Sequence, residues 1–278
     1  MDTIIIDGLS FALPLFIIAI GGIYSEKSGI TNLALEGFQG FGAFTGALAA
    51  VLIANALGTD IQNLFYVALL FAMLGGMAFS VIHAVLSIKF KADQVISGVV
   101  INILALALTT FLTTQINALV FGTASDKFQL GVSQRFTIEG LADIPVIGAI
   151  FTNVYPFEVI IVVIAVFAWY LLYKTRYGMR LRACGENPHS VDTAGVDVAK
   201  IRFSAVLVSG LLSGLGGMCF AYSISANFSS SIYMGYGFLA IAALIFGNWR
   251  IVPTLAACLL FGFAKSGGAF IAQSMALP

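Results

Sequence analysis

The chain has 278 residues, of which 60% are hydrophobic and only 9% charged, with 24 Phe but two His and three Cys. A soluble domain carries roughly 25% charged residues to cover its surface, so a soluble enzyme, a nucleic-acid binder and a disordered protein are all excluded. Thirteen basic and thirteen acidic residues give a formal net charge of zero, which leaves no basic surface for nucleic acid and makes the placement of each charge informative.

A hydrocarbon core about 30 Å thick requires about 20 apolar residues per helix. Eight apolar segments are read as spans, at about 6–24, 37–57, 64–88, 95–119, 157–173, 203–223, 236–248 and 251–272, the seventh of them short at 13 residues. The chain therefore reads as an all-α polytopic membrane protein of about eight transmembrane helices, in a single transmembrane domain over 1–278. The first segment is preceded by acidic Asp2 and Asp7, where a signal peptide needs basic residues, and reads as a permanent span.

The connectors orient these spans. One face holds Lys27, Lys89, Lys91, Lys174, Arg176, Arg180, Arg182, Lys200, Arg202 and Arg250. The other holds Lys127 and Arg135, in a loop of about 120–156 with Asp126, Glu139, Asp143 and Glu158. The excess of Lys and Arg makes the first face cytoplasmic, with both chain ends outside. The outer loop mixes Gly and Pro with isolated hydrophobics (Phe128, Phe136, Ile138, Ile147) and reads as a partly ordered segment that either connects two helices or caps the pathway.

Leu-Gly-Gly-Met-Ala-Phe at 74–79 recurs as Leu-Gly-Gly-Met-Cys-Phe at 215–220. By the topology above the copies cross the membrane in opposite directions, as in an inverted repeat. Glycines at 75–76, 216–217, Gly42, Gly46, Gly210 and Gly214 are read as close-packing positions between helices. Cys184, Cys219 and Cys258 lack metal spacing and read as small apolar side chains.

The longest cytoplasmic segment, 174–203, contains helix punctuation. Asn187 suits a cap, Pro188 a first turn and Gly195 a stop, which predicts a short helix over 188–194 outside the bilayer. Short, capped and exposed, it suits insertion into a partner's groove; an ordinary loop with lipid-facing basic residues is equally compatible with the physics.

Three stretches resemble a known family. Gly-Met-Arg-Leu-Arg-Ala-Cys-Gly-Glu-Asn-Pro-His-Ser-Val-Asp-Thr-Ala-Gly-Val-Asp (178–197) is similar to the coupling loop of bacterial ABC importer permeases for branched-chain amino acids, ribose-type sugars and nucleosides. Ser-Gly-Ile-Thr-Asn-Leu-Ala-Leu-Glu-Gly-Phe (28–38) and Gly-Phe-Leu-Ala-Ile-Ala-Ala-Leu-Ile-Phe-Gly-Asn-Trp (237–249) resemble the nucleoside (simple-sugar) branch. The resemblance implies a type II-like permease, multi-pass in the bacterial cytoplasmic membrane. It implies partners as well: a second permease chain, different from this one, two ATPase subunits or one fused ATPase, and an extracytoplasmic substrate-binding lipoprotein. The cargo it implies is a nucleoside or nucleoside-like ligand. Riboflavin, a simple sugar or a branched-chain amino acid are the alternatives within the family, and a gradient-driven secondary transporter is the alternative outside it. Gly185, Glu186, Asn187, Pro188, Asp192, Ala194 and Gly195 would contact the ATPase. Relatives commonly continue with one more apolar helix, so a further span is expected after 278. Lys265 departs from the branch, which carries an acidic residue there.

No cofactor is expected on this chain. Phe-Gly-Phe-Ala-Lys-Ser at 261–266 lacks the glycines of a phosphate-binding loop and lies within an apolar helix, so the energy source is another chain or an ion gradient; the resemblance implies ATP and Mg on a partner ATPase. No metal set or nucleophile–base pair supports an enzyme, and His83 and His189 read as structural.

Polar groups inside spans are costly and are functional candidates. Glu36 and Asn32, four apart, would share a helix face after a break marked by Glu26 to Gly29. Glu36 either lines the inner pathway or caps or pairs near the interface, with Lys27 as partner. Asn102 and Thr109, seven apart on the 95–119 span, share another face. Phe41, Tyr236 and Phe238 are candidates to stack on a nucleobase, with Phe44, Phe228 and Tyr233 as further aromatics nearby. Lys265 is expected to snorkel to the outer interface.

Overall fold

The computed structural model of the protein describes residues 2–131, 135–140 and 148–275. Asp143 and Ile147 of the outer loop, and the last three residues, lie outside the described residues. In chain order the helices are α1 (Asp2–Lys27), α2 (Leu35–Leu57), α3 (Phe65–Ala84, continued as a wider turn to Lys89), α4 (Gln94–Phe121), α5 (Pro156–Lys174), α6 (Arg176–Glu186), α7 (Pro188–Thr193), α8 (Val198–Ile224), α9 (Tyr236–Phe246) and α10 (Ile251–Ser274). All except α6, α7 and α9 are long and apolar enough to cross a bilayer, so seven full spans are described. Lys27, Lys174 and Arg250 line one cleft and Lys91 and Arg202 another, which collects the basic residues at one end, as the charge pattern predicts.

The expectation of an eighth span at 236–248 is corrected. Helix α9 has 11 residues, about 16 Å at helical rise, roughly half the hydrocarbon thickness. The apolar run is real, but the chain before it is not helical. Ala226 takes a left-handed φ of 52° just past the end of α8, and Gly235 takes φ 87° immediately before α9. Residues 225–235 thus form a short strand and turns, and α9 follows as a short apolar helix.

Part of the outer loop folds onto this segment. Strand β1 (Lys127–Gln129) pairs antiparallel with β2 (Asn227–Ser229), placing Phe128 opposite Phe228, both buried. Asn117 Nδ2 donates to the carbonyls of Ser125 at 2.8 Å and Lys127 at 3.0 Å, fixing the approach. The described part of the loop is therefore more than a tether.

Helix α8 is the most buried span and α10 the most exposed. Around α8 the helices approach on glycine, because dispersion and small surfaces, rather than the hydrophobic effect, hold helices together in lipid. A Cβ on Gly214 would strike the Ala72 carbonyl oxygen, one on Gly42 the Gly214 Cα, and one on Gly76 the Gly210 carbonyl oxygen. These pairs also show α3 and α8 antiparallel, so the two Leu-Gly-Gly-Met copies do run in opposite directions. Their partners differ, however: Gly76 faces α8, whereas Gly217 faces the Gln39 backbone of α2 and Gly216 faces Pro14 and Ile18 of α1.

Candidate functional site

The site is built where two helices begin inside the bundle. Residues 28–34 are not helical, and α2 starts only at Leu35. This corrects the expectation that Asn32 and Glu36 share a helix face: Asn32 precedes the helix. Asn32 is buried, its Nδ2 donating to Ser209 Oγ at 2.9 Å and its Oδ1 accepting from the Ala34 N–H at 3.0 Å. It holds the turn against α8. Asn102 of α4 spans the same turn. Its Oδ1 accepts from the Gly37 N–H at 2.7 Å and its Nδ2 donates to the Leu33 carbonyl at 2.8 Å. One side chain so satisfies a first-turn donor of α2 and an acceptor of the broken segment, groups that have no water to turn to at this depth. Asn102→Leu, which leaves both unpaired, is expected to destabilise by about 2 kcal/mol, read as a lowered Tm of the detergent-solubilised protein.

The second helix start is that of α9. Glu36 Oε2 accepts from the Gly235 N–H at 2.9 Å, and Gly237 sits so close that a Cβ there would meet the Glu36 backbone. One carboxylate in the first turn of α2 therefore also closes the N-terminus of α9. Two positive helix ends face one negative charge, so Glu36 is a cap, and its partner is a helix terminus rather than Lys27. Among the described residues the ion pair formed is Lys200–Asp197, on the exposed start of α8.

Beside Glu36 lies an open cleft of about 190 Å³ lined by Glu36, Asn102, Tyr233, Phe238 and neighbouring apolar side chains of α4. Phe238 is 48% exposed and Met234 54%, so the cleft faces away from the protomer's core. Of the seven candidate pathway residues, Glu36, Asn102 and Phe238 reach it. Thr109 is buried one layer behind, its Oγ1 3.1 Å from the Tyr233 hydroxyl. Phe41 stacks on Phe79 with ring centroids 4.3 Å apart. Tyr236 points the other way, against Phe11 and Phe220, and its hydroxyl accepts from Lys265 Nζ at 2.7 Å. Lys265, expected to snorkel outward, is exposed beside Asp7 and Arg135 in one cavity and lies over the Phe11 ring, 3.8 Å from its centroid. Tyr233, one of the further aromatics, lines the cleft and its carbonyl accepts from Gln39 Nε2 at 2.9 Å; Met234 beside it carried no signal in the sequence.

The cytoplasmic segment folds as its punctuation predicts. Asn187 Oδ1 accepts from the Ser190 N–H at 3.1 Å, Pro188 occupies the first turn of α7, and Gly195 ends it with φ 79°. Val191 is buried against the body, while Glu186, Asn187, His189, Asp192, Ala194 and Gly195 are exposed. Asp197 caps α8; the Lys200 backbone N–H and ammonium hold its carboxyl below the usual carboxylate range. Helix α6 was hidden by its arginines, although Gly178, Leu181 and Cys184 recur at three-residue spacing on its buried face. The other two cysteines are buried as well, and all three are free. His83 is buried between Ser97 Oγ at 2.9 Å and the Thr31 carbonyl at 3.3 Å.

The two regions are physically joined. Arg202, one turn into α8, donates from Nε to the Ser28 carbonyl at 3.0 Å and from a terminal nitrogen to the Cys184 carbonyl at 3.3 Å. Gly185 packs its Cα face against the Lys27 carbonyl and Gly29. Helix α6 is thereby held to residues 27–29, and the chain from 28 to 34 leads directly to α2 and Glu36.

A multi-pass helical bundle with one broken crossing, a cleft at that break and an exposed capped helix wired to it defines a membrane transport permease. The chain belongs to the family described as branched-chain amino acid transport system / permease component, whose model matches residues 4–277. It is similar to the guanosine ABC transporter permease protein NupQ of Bacillus subtilis (strain 168), 42% identical over 259 residues, which is 93% of this chain and 79% of that protein. The nucleoside ABC transporter permease protein NupC of Lactococcus lactis subsp. cremoris is 39% identical over 272 residues, 96% of this chain and 82% of that protein. The guanosine ABC transporter permease protein NupP of Bacillus subtilis is 27% identical over 257 residues, 90% of this chain and 69% of that protein. No solved structure matches the chain.

Proposed function

We propose that this chain is one of two permease subunits of an ABC importer that carries nucleosides across the bacterial cytoplasmic membrane. The observation that carries the reading is the link from α6, which leads into exposed α7, through Arg202 and residues 28–34 to the Glu36 cleft. Such a link has a use where an external engine drives the helix, and none in a gradient-driven carrier. A separate ATPase, as two subunits or one fused chain, binds ATP and Mg and receives α7; Glu186, Asn187, Pro188, Asp192, Ala194 and Gly195 present the contact. An extracytoplasmic lipoprotein delivers the ligand.

The names of the relatives support a nucleoside cargo, and the occurrence of two guanosine permeases of unequal similarity in Bacillus subtilis supports a pair of different permease chains. The open side of the cleft then faces the second permease. Glu36, Asn102 and Phe238 line the pathway, Phe238 offering a ring to the base and the helix ends at Glu36 offering polar groups to the sugar. Asn32, Phe41, Thr109 and Tyr236 position that wall from behind.

Co-expression with the ATPase, second permease and lipoprotein tests this. The complex is expected to take up radiolabelled guanosine only with ATP. Glu186→Lys is expected to abolish uptake with membrane levels unchanged. Uptake by this chain alone, collapsed by an uncoupler, overturns the reading.

A further inference from the structure

Two cavities away from the Glu36 cleft meet at the cytoplasmic end of α5. The first, about 950 Å³, lies between the ends of α1 and α5, helix α6 and the start of α10. Lys27, Lys174, Arg182 and Arg250 line it, against the single carboxylate of Glu186. None of the four cations is ion-paired among the described residues, where Lys200–Asp197 is the pair formed. Two of them are propped on aromatic faces: Lys174 Nζ is 5.7 Å from the Trp169 ring centroid, and the Arg182 guanidinium is 5.4 Å from that of Tyr173. The second cavity, about 240 Å³, is walled by apolar side chains of α1, α5 and α10, among them Phe16, Val162 and Leu255. Trp169, Ile251 and Val252 belong to both walls, so the basic cavity and the apolar one adjoin.

We infer that the two cavities form one binding site for an anionic phospholipid, its phosphate headgroup among the cations and an acyl chain in the groove between α5 and α10. The charge excess calls for an anion. Basic residues gathered beside a cytoplasmic membrane surface attract anionic headgroups, and tryptophan marks the interfacial level. A soluble phosphate accounts for the cations but not for the apolar groove, which lies at hydrocarbon depth along helices that span the bilayer. A docked ATPase domain would reach the headgroup cavity from the cytoplasm and leave the groove empty. The lipid fills both, and it would brace α6 against α1, α5 and α10, the same junction through which Gly185 meets Lys27.

The chain carries two tryptophans, Trp169 and Trp249, and both line the basic cavity, so fluorescence excited selectively at tryptophan reports on this site. The test reconstitutes the full chain in vesicles containing phosphatidylglycerol or phosphatidylcholine brominated on the acyl chains, at equal mole fraction. Brominated phosphatidylglycerol is expected to quench the tryptophans well beyond phosphatidylcholine, and Lys174→Gln with Arg250→Gln to lower that preference at least about fivefold. Lys89→Gln with Lys91→Gln, on the same membrane face but outside the cavity, is expected to leave it unchanged. Equal quenching by the two lipids overturns the proposal, as does an equal loss in both double variants, which would mean bulk surface charge. So does displacement of the brominated lipid by millimolar inorganic phosphate, or by the ATPase in the assembled complex. Unaltered far-ultraviolet circular dichroism and gel-filtration volume of the variants separate loss of the site from loss of the fold; should the Lys174/Arg250 pair fail there, Arg182→Gln alone is expected to lower the preference, and an unchanged preference in that variant is a negative result.

Discussion

Gly214→Val is expected to lower sharply the amount of folded protein in the membrane. The position lies where α2, α3 and α8 cross, and the added Cβ would be driven into the Ala72 carbonyl oxygen, with the Ala72 carbonyl carbon at 3.1 Å and the Gly76 Cα at 3.2 Å. All three obstacles are backbone, so no rotamer change relieves them, and two helices would have to separate. Overpacking costs 1–3 kcal/mol even where side chains can adjust, and here about 3 kcal/mol or more. Against a total of roughly 5–15 kcal/mol, that removes much of the margin. Gly42→Val is expected to behave alike, for the same crossing is met from the α2 side. The contrast is on α10, where a Cβ at Gly267 or Gly268 meets nothing within 4 Å; Gly267→Ala and Gly268→Ala should accumulate as well as the parent. Quantitative blotting of membrane fractions, with a proteolysis time course, separates the two groups. Normal accumulation of Gly214→Val would mean the helices do not approach as described.

Glu36→Lys is expected to keep the protein in the membrane and to abolish uptake by the complete complex. The parent carboxylate accepts from the Gly235 N–H at 2.9 Å and sits in the first turn of α2. An anion at a helix N-terminus stabilises by up to about 2 kcal/mol where partly buried, and here one group serves two termini. A cation reverses both interactions and forces the start of α9 away from the cleft. Glu36→Gln keeps the shape and an acceptor oxygen but loses the charge, so a partial loss, about tenfold, is expected from an interaction of that size. Glu36→Asp is expected to fall between them, its shorter arm not reaching Gly235. Uptake of labelled guanosine into proteoliposomes at matched protein content ranks the series. Full activity in Glu36→Lys would remove Glu36 from the mechanism.

These two positions also mark what could and could not be seen in the bare chain. Spans are legible because lipid imposes one strong rule on about 20 consecutive residues, and α7 is legible because Asn187, Pro188 and Gly195 each act on their own neighbours. The close-packing reading of Gly42, Gly76, Gly210 and Gly214 also holds, since a missing side chain in an apolar helix has few other uses. The shortness of 236–248 was legible, 13 residues against the roughly 20 that a bilayer needs. What the chain did not display is the left-handed φ of Ala226 and Gly235 before it and the pairing of 227–229 with a strand a hundred residues earlier. Asn32 failed as a helix neighbour of Glu36 for a related reason. Its side chain is bound to Ser209, a contact of high sequence separation that leaves no periodic trace. Helix α6 left one, in Gly178, Leu181 and Cys184, under a charge density that read as loop.

The irregular stretch before α9 bears on how much of this protein a cell can hold. Met234 is 54% exposed and Ile224 42%, and the backbone between them runs without a helix beside an open cleft. Peptide groups along it are tied within the protomer: the Leu130 N–H donates to the Ala226 carbonyl and the Gly235 N–H to Glu36. What is left exposed includes apolar side chain. Under the pairing proposed above a second permease covers this face, and persistence in the membrane is then expected to follow supply of the partner, with synthesis in excess of it yielding subunits for degradation rather than more transporters.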